Sequence, residues 1–171
     1  MVSISPDVEY LRERYNIGKS NSYELIIQYH IVLQDGATLT KDETQIEPMV
    51  QINFNIDLQY PYFTLIMVDP DAPQRGNEYA GPWLHWIHYG FIGNDLSQGR
   101  TLADYQGPAP PSGTGPHQYI FLLYKSAIPA PQHDASIAVS DSGKRKQFHL
   151  RKFEHDFQLQ LIAATSYTVI G

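Results

Sequence analysis

Residues 68–73 read VDPDAP and follow directly on the apolar run 62–67, YFTLIM, so a segment that looks like core strand ends in two carboxylates and two prolines. In a strand alternate side chains share a face, which points Asp69 the same way as Phe63, Leu65 and Met67. The acid is aimed inward. A strand-end Asp before Pro is most often a turn former through its side chain, and the rest of the chain decides whether Asp69 is more than that.

Working outward, the segments 24–33 (ELIIQYHIVL), 45–54 (QIEPMVQINF), 82–92 (PWLHWIHYGFI) and 118–125 (QYIFLLYK) join 62–69 as β-branched or aromatic runs bounded by Gly, Pro, Asn and Asp. This pattern predicts a mainly β protein, an antiparallel β-sandwich with short peripheral helices. Pro48 cannot donate to a ladder, so 45–54 is an edge strand or carries a bulge. Residues 6–16 open on a proline and space Val8, Leu11 and Tyr15 helically, which predicts an N-terminal helix. Leu150, Phe153, Phe157 and Leu161 form a second helical stripe near the C-terminus. The stretch 104–117 holds four prolines and three glycines and reads as a loop shaped by them. Residues 133–147 read as a polar surface excursion. No repeat or boundary divides the chain, and 1–171 is expected to form a single domain.

Composition narrows the function. Twelve Lys and Arg against 18 Asp and Glu give a net charge of −6, so no long-range field draws the chain to nucleic acid or an anionic surface. Without cysteine, thiolate zinc sites, disulfides and thiol nucleophiles are excluded. No window approaches the ~20 apolar residues of a membrane span, and no apolar signal core opens the sequence. A cytoplasmic location is expected.

Three strands each place polar groups beside a turn or a proline. Strict alternation in 82–92 puts Trp83, His85, Ile87 and Tyr89 on one face and Leu84, Trp86 and His88 on the other, so His85 and His88 diverge and H-x-x-H is not a metal pair. No cofactor is expected. His117 and Tyr119 share a face that Phe121 and Leu123 continue inward. With Asp69 they suit a cavity at one end of the sandwich, an apolar wall with a few convergent donors and acceptors. There the carboxylate would fix a histidine tautomer or favour imidazolium. His30, His88, His133, His149 and His155 read as structural or solvated. Asp71 reads as a turn cap, and Phe153 and Phe157 as core.

The motifs VDPDAP at 68–73, PWLHW at 82–86 and DYQGPAPPSGTGPHQYIFLLYK at 104–125, with TQIEPMV and FHLRKF, resemble the phosphatidylethanolamine-binding protein family, which includes Raf kinase inhibitor proteins and plant flowering regulators. That resemblance implies an antiparallel sandwich with a small anion pocket at one end. It carries the pocket onto Asp69, His85, His117 and Tyr119, walled by Pro73, Trp83, Pro110 and Pro111; backbone N–H groups of the loop PPSGTG, where Gly113 and Gly115 permit close approach, are expected to add donors. It also implies a cis bond at Ala72–Pro73. Leu84 stands where animal members carry a second histidine.

The function so implied is a non-enzymatic module that binds a phosphate-containing small molecule, a phospholipid headgroup or a phosphorylated group, and regulates a kinase or a peptidase. Peripheral membrane contact is compatible with it. Imidazolium donors would make affinity fall as pH rises through about 6.5. The alternative is a weak acid–base hydrolase built on the same Asp, His and Tyr groups, for which the sequence offers no activated nucleophile.

Overall fold

The computed structural model describes residues 5–20, 24–53, 57–130 and 136–171; Phe54, the last residue of the run 45–54, and His133 lie outside them. The elements are α1 (Pro6–Gly18), β1 (Glu24–Gln28), β2 (Ala37–Thr38), β3 (Met49–Asn53), β4 (Tyr62–Asp69), β5 (Trp83–Phe91), β6 (Arg100–Ala103), β7 (Pro116–Ser126), α2 (Ser142–Arg145), α3 (Leu150–Asp156) and β8 (Gln160–Ile170). A six-stranded sheet runs β2-β8-β7-β4-β5-β6, and β1 pairs with β3 in a second sheet of two strands. Every pairing is antiparallel except β2 with β8. The fold is mainly β, as the strand pattern predicts.

Period-two patterning gives the large sheet two apolar faces. On one, Phe63, Leu65, Met67, Phe121, Leu123 and Tyr167 pack with Ile27 and Ile52 of the small sheet. On the other, Ile66, Val68, Ile120, Leu122 and Tyr124 pack with Leu11 and Tyr15 of α1 and Leu150 of α3. A side chain such as Leu11, fully buried, contributes about 2 kcal/mol by leaving water. Helix α1 begins at Pro6, with the Ser5 hydroxyl accepting from the Asp7 N–H. It lies so close to β8 that a Cβ on Gly18 would sit 2.7 Å from Ala164 Cβ; glycine there sets the approach.

Two expectations fail for identifiable reasons. The C-terminal helix does not reach Leu161. It ends at Asp156, and after Gln158 at φ 52 the chain enters β8. The Ala-Ala-Thr-Ser centre of β8 lacks the β-branched and aromatic density of the other strands, so pairing with β7, not intrinsic preference, makes it a strand. Strict alternation in β5 also fails. Met67 pairs with Trp86 but Val68 with Leu84, leaving His85 as the extra residue of a β-bulge. The bulge flips the parity: Leu84 joins Ile87 and Tyr89 in one core, while Trp86 joins the other. Among the described residues no helix is long and apolar enough to cross a membrane.

Candidate functional site

The bulge at His85, the end of β4 and the start of β7 meet at one end of the large sheet. Asp69 is buried there, its Oδ1 accepting from the Asp71 N–H at 2.7 Å and its Oδ2 lying 2.8 Å from His117 Nδ1. Burial pushes the Asp69 carboxyl above the usual carboxylate range, against the pull of His117. The other imidazole nitrogen, His117 Nε2, lies 2.9 Å from Thr114 Oγ1. That hydroxyl spends its single proton on the Pro111 carbonyl at 2.7 Å, so it accepts from His117 Nε2–H. Two lone pairs would repel at 2.8 Å, so one proton lies between Asp69 and His117 Nδ1. The pair is net neutral whichever atom holds that proton.

His85 is positioned differently. Its Nδ1 lies 2.6 Å from the Gln106 carbonyl oxygen, and Gln106 is itself fixed by its N–H to the His85 carbonyl (2.9 Å), by Trp83 Nε1–H donating to its Oε1 (2.7 Å) and by its Nε2 donating to the Val139 carbonyl (2.9 Å). Burial, with Arg145 and His117 nearby, pushes the His85 imidazolium down to about 4, although the Gln106 bond works the other way. The expected imidazolium donor near pH 6.5 is therefore not His85. Tyr119, whose ring meets His85 edge-on at 5.1 Å between centroids, is held in its phenol form by burial and by the nearby Asp69 and Asp71 carboxylates. Among the described residues neither Tyr119 OH nor His85 Nε2 has a hydrogen-bond partner.

Of the residues expected from sequence, Asp69, Pro73, Trp83, His85, Pro110, Pro111, His117 and Tyr119 line one cavity of about 520 Å³. Gly115 is not part of its wall; its carbonyl accepts the Gly171 N–H at 2.8 Å and ties the loop to the end of β8. Ala72–Pro73 is cis, and so is Gly81–Pro82. Asp71 does more than cap a turn: buried, it accepts from the Gln118 N–H and pairs with Arg12 and Arg75. His88 is committed to Thr101 Oγ1 and the Leu96 carbonyl. No group of three or more His, Asp or Glu among the described residues is placed to hold a metal ion.

Sequence reasoning did not single out Gln45, Tyr105, Gln106, Gly107, Ala109 and Val139, which also line the cavity. Five of them lie in stretches it quoted, 45–54 and 104–125. Gly107 is the clearest signal there, since a Cβ would meet Gln45 Cα at 3.0 Å. The N–H groups of Gly107 and Ala109 have no partner among the described residues and are candidate backbone donors. Arg145, with no exposure, stands behind the wall. Its guanidinium donates to the carbonyls of Leu84, His85, Asp104, Ile137 and Ala138. Within the run KRK at 144–146 nothing local marks it as the buried one.

The sequence model of the phosphatidylethanolamine-binding proteins matches residues 30–168. The chain belongs to the phosphatidylethanolamine-binding protein family. A member of this fold, a carboxypeptidase Y inhibitor solved in complex with its cognate proteinase, superposes with a TM-score of 0.73 at 24% identity over 96% of this chain and 92% of that one. A phosphatidylethanolamine-binding protein from Plasmodium vivax superposes at 0.72 with 18% identity over 98% of both chains. Among curated sequences, "Putative odorant-binding protein A5" of Drosophila melanogaster is 28% identical over 129 residues, 75% of this chain. The chain spans about 60% of the length of that relative.

Proposed function

We propose that this member of the family is a non-enzymatic regulator. Its cavity holds the phosphate of a small molecule, a lipid headgroup or a phosphorylated residue, and occupancy tunes how the rim engages a protein partner such as a kinase or a peptidase. The observation that carries the ligand reading is the pair of uncommitted polar atoms, His85 Nε2 and Tyr119 OH, on residues that line a cavity otherwise walled by prolines, alanines and aromatic rings. Phosphate oxygens suit the Tyr119 hydroxyl and the free N–H groups of Gly107 and Ala109. A peptidase partner is supported by the complex formed by the carboxypeptidase Y inhibitor of like fold.

The hydrolase alternative has one structural feature in its favour, the chain Asp69–His117–Thr114 with a triad's connectivity. Its proton direction is wrong for catalysis. A general base must accept from the nucleophile, whereas His117 Nε2 donates to Thr114, whose proton goes to Pro111. Thr114 does not line the cavity either.

The test is a titration of the ¹⁵N-labelled protein with inorganic phosphate and O-phosphoethanolamine. Shifts should concentrate at 69, 85, 105–111 and 117–119, and Tyr119→Phe should weaken binding about tenfold, the loss of one hydrogen bond to a charged group. Saturable shifts confined to another face would overturn the reading.

A further inference from the structure

A second concavity adjoins the cavity at residue 45 and shares no lining residue with it. Gln45 lines the cavity, whereas Ile46 and Met49 line a separate groove of about 540 Å³ together with Tyr29, His30 and the carboxylates Asp42, Glu43 and Glu47. Ile46 and Met49 are 83% and 73% exposed. A lone exposed apolar residue is ordinary, but two large ones on one groove form a patch that gains by being covered. The turn that presents them is held from behind. Thr44 Oγ1 donates to the Lys41 carbonyl at 2.8 Å, Gln45 Nε2 to the Lys41 and Pro108 carbonyls at 2.8 and 2.7 Å, and Tyr105 OH to the Thr44 carbonyl at 2.7 Å. Pro48 fixes φ between the two exposed side chains. A partner therefore meets a preformed surface, which lowers the entropy lost on docking.

Charge says what kind of partner fits. Between residues 39 and 53, Lys41 is the sole lysine or arginine against Asp42, Glu43 and Glu47, and Lys41 does not line the groove. Glu43 Oε2 lies 3.2 Å from His30 Nε2, while the Asp42 and Glu47 carboxylates have no hydrogen-bond or ion-pair partner among the described residues. We infer that this groove docks a cationic segment of a partner protein, with a large apolar side chain seated on Ile46 and Met49 and Lys or Arg side chains reaching Asp42 and Glu47. The inference rests on the reading that the protein engages a partner, and is independent of what the cavity holds. Two other occupants fit less well. A second copy of this chain brings a net charge of −6, and an anionic lipid surface brings like charge to three carboxylates.

The experiment selects from a displayed library of random heptapeptides on the immobilised protein, then titrates the enriched peptide into the ¹⁵N-labelled protein. Enriched sequences should combine Leu, Phe or Met with Lys or Arg, and shifts should concentrate at 28–30 and 42–49. Ile46→Ser and Met49→Ser lie at exposed positions and should keep the urea midpoint of the wild type, yet each should weaken the peptide about fivefold or more. Glu47→Lys should weaken it about tenfold, and raising NaCl from about 0.05 to about 0.5 M should do the same. Enrichment of peptides without cations, no enrichment over the bare support, or affinity unchanged in both Ile46→Ser and Glu47→Lys overturns the proposal. Self-association of the protein that Ile46→Ser abolishes would assign the groove to a second copy, and phosphatidylserine-vesicle binding that Ile46→Ser abolishes would assign it to a lipid surface; either overturns it too. Tyr119→Phe, which probes the cavity, should leave peptide affinity within about twofold. A loss there as large as in Ile46→Ser would put the peptide at the cavity and overturn the groove, whereas failure of phosphate to bind with peptide binding intact overturns only the phosphate reading.

Discussion

Asp69 Oδ2 and His117 Nδ1 lie 2.8 Å apart, although 48 positions separate them in the chain. Both are buried, and among the described residues neither lies at ion-pair distance from any other charged group. Their bond closes the back of the cavity. It also engages His117 from one side while Thr114 engages the other nitrogen, so both ring nitrogens have partners.

A shared proton at this contact makes the two substitutions of Asp69 unequal. In Asp69→Asn the amide can donate to His117 Nδ1 and still accept from the Asp71 N–H, so unfolding free energy in urea should change by no more than about 1 kcal/mol. Asp69→Ala strands both partners in a buried setting and should cost about 3 kcal/mol. Equal losses for the two would show that the amide does not replace the hydrogen bond between the carboxyl group and His117.

His85 sets a pH dependence whose sign follows from its downward displacement, from 6.5 to about 4. The unfolded chain takes up a proton there that the folded protein refuses, so the stability His85 contributes is complete above about 6.5 and is lost as pH falls toward 4. The span corresponds to roughly 3 kcal/mol. Denaturant midpoints for wild type and His85→Gln should diverge above pH 6.5 and converge near pH 4. A difference independent of pH would mean the ring is not buried in its neutral form.

Arg145 holds three segments of the wall through carbonyls alone, with no carboxylate among the described residues at ion-pair distance. Arg145→Met should cost about 3 kcal/mol by leaving several buried carbonyls unpaired. Arg145→Lys should recover less than half of it, since an ammonium cannot reproduce the planar fork. The same Met variant should raise the His85 midpoint in an NMR titration, because a positive charge behind the ring is gone. Full rescue by lysine in both measurements would assign the role to charge alone.

Arg12 of α1 donates to Asp71 at 3.0 Å and to Glu78 at 3.1 Å, two carboxylates almost fully buried. Burial would raise Glu78, but bonds from the Gly76 N–H and Arg12 outweigh it and hold its carboxyl below the usual range. Arg12→Ala should cost about 2 kcal/mol at pH 7, less than a fully buried pair because Arg12 is partly exposed and Arg75 still reaches Asp71. Since Glu78 titrates low in the folded state, its contribution is present above the ordinary glutamate pKa and is lost in acid. The cost of the substitution should therefore shrink below pH 4 in urea unfolding. A loss that stays constant into acid would place the effect in helix packing.

Much of this was legible in the residues. The run YFTLIMVD forms a strand with the bounds its composition suggests, because β-branched and aromatic residues alternate onto two buried faces. Asp69, His117 and Tyr119 share the face that alternation assigns them. Strand β8 was not legible: its small central residues carry a weak pattern, and only the neighbouring ladder makes them extended. The bulge at His85 was hidden for a related reason, since register depends on both partners and one strand's sequence shows only its own half.

What the sequence determined by itself is the two-faced sheet and the polar-on-apolar stems at its strand ends, since local periodicity and proline stereochemistry are properties of neighbouring residues. What the tertiary structure alone decided is the chemistry of the cavity: which nitrogen of His85 is free, which proton Thr114 and His117 share out, and where Arg145 lies. Those depend on carbonyls and charges brought together from distant parts of the chain. Protonation answers to that assembled field, and no single segment contains it.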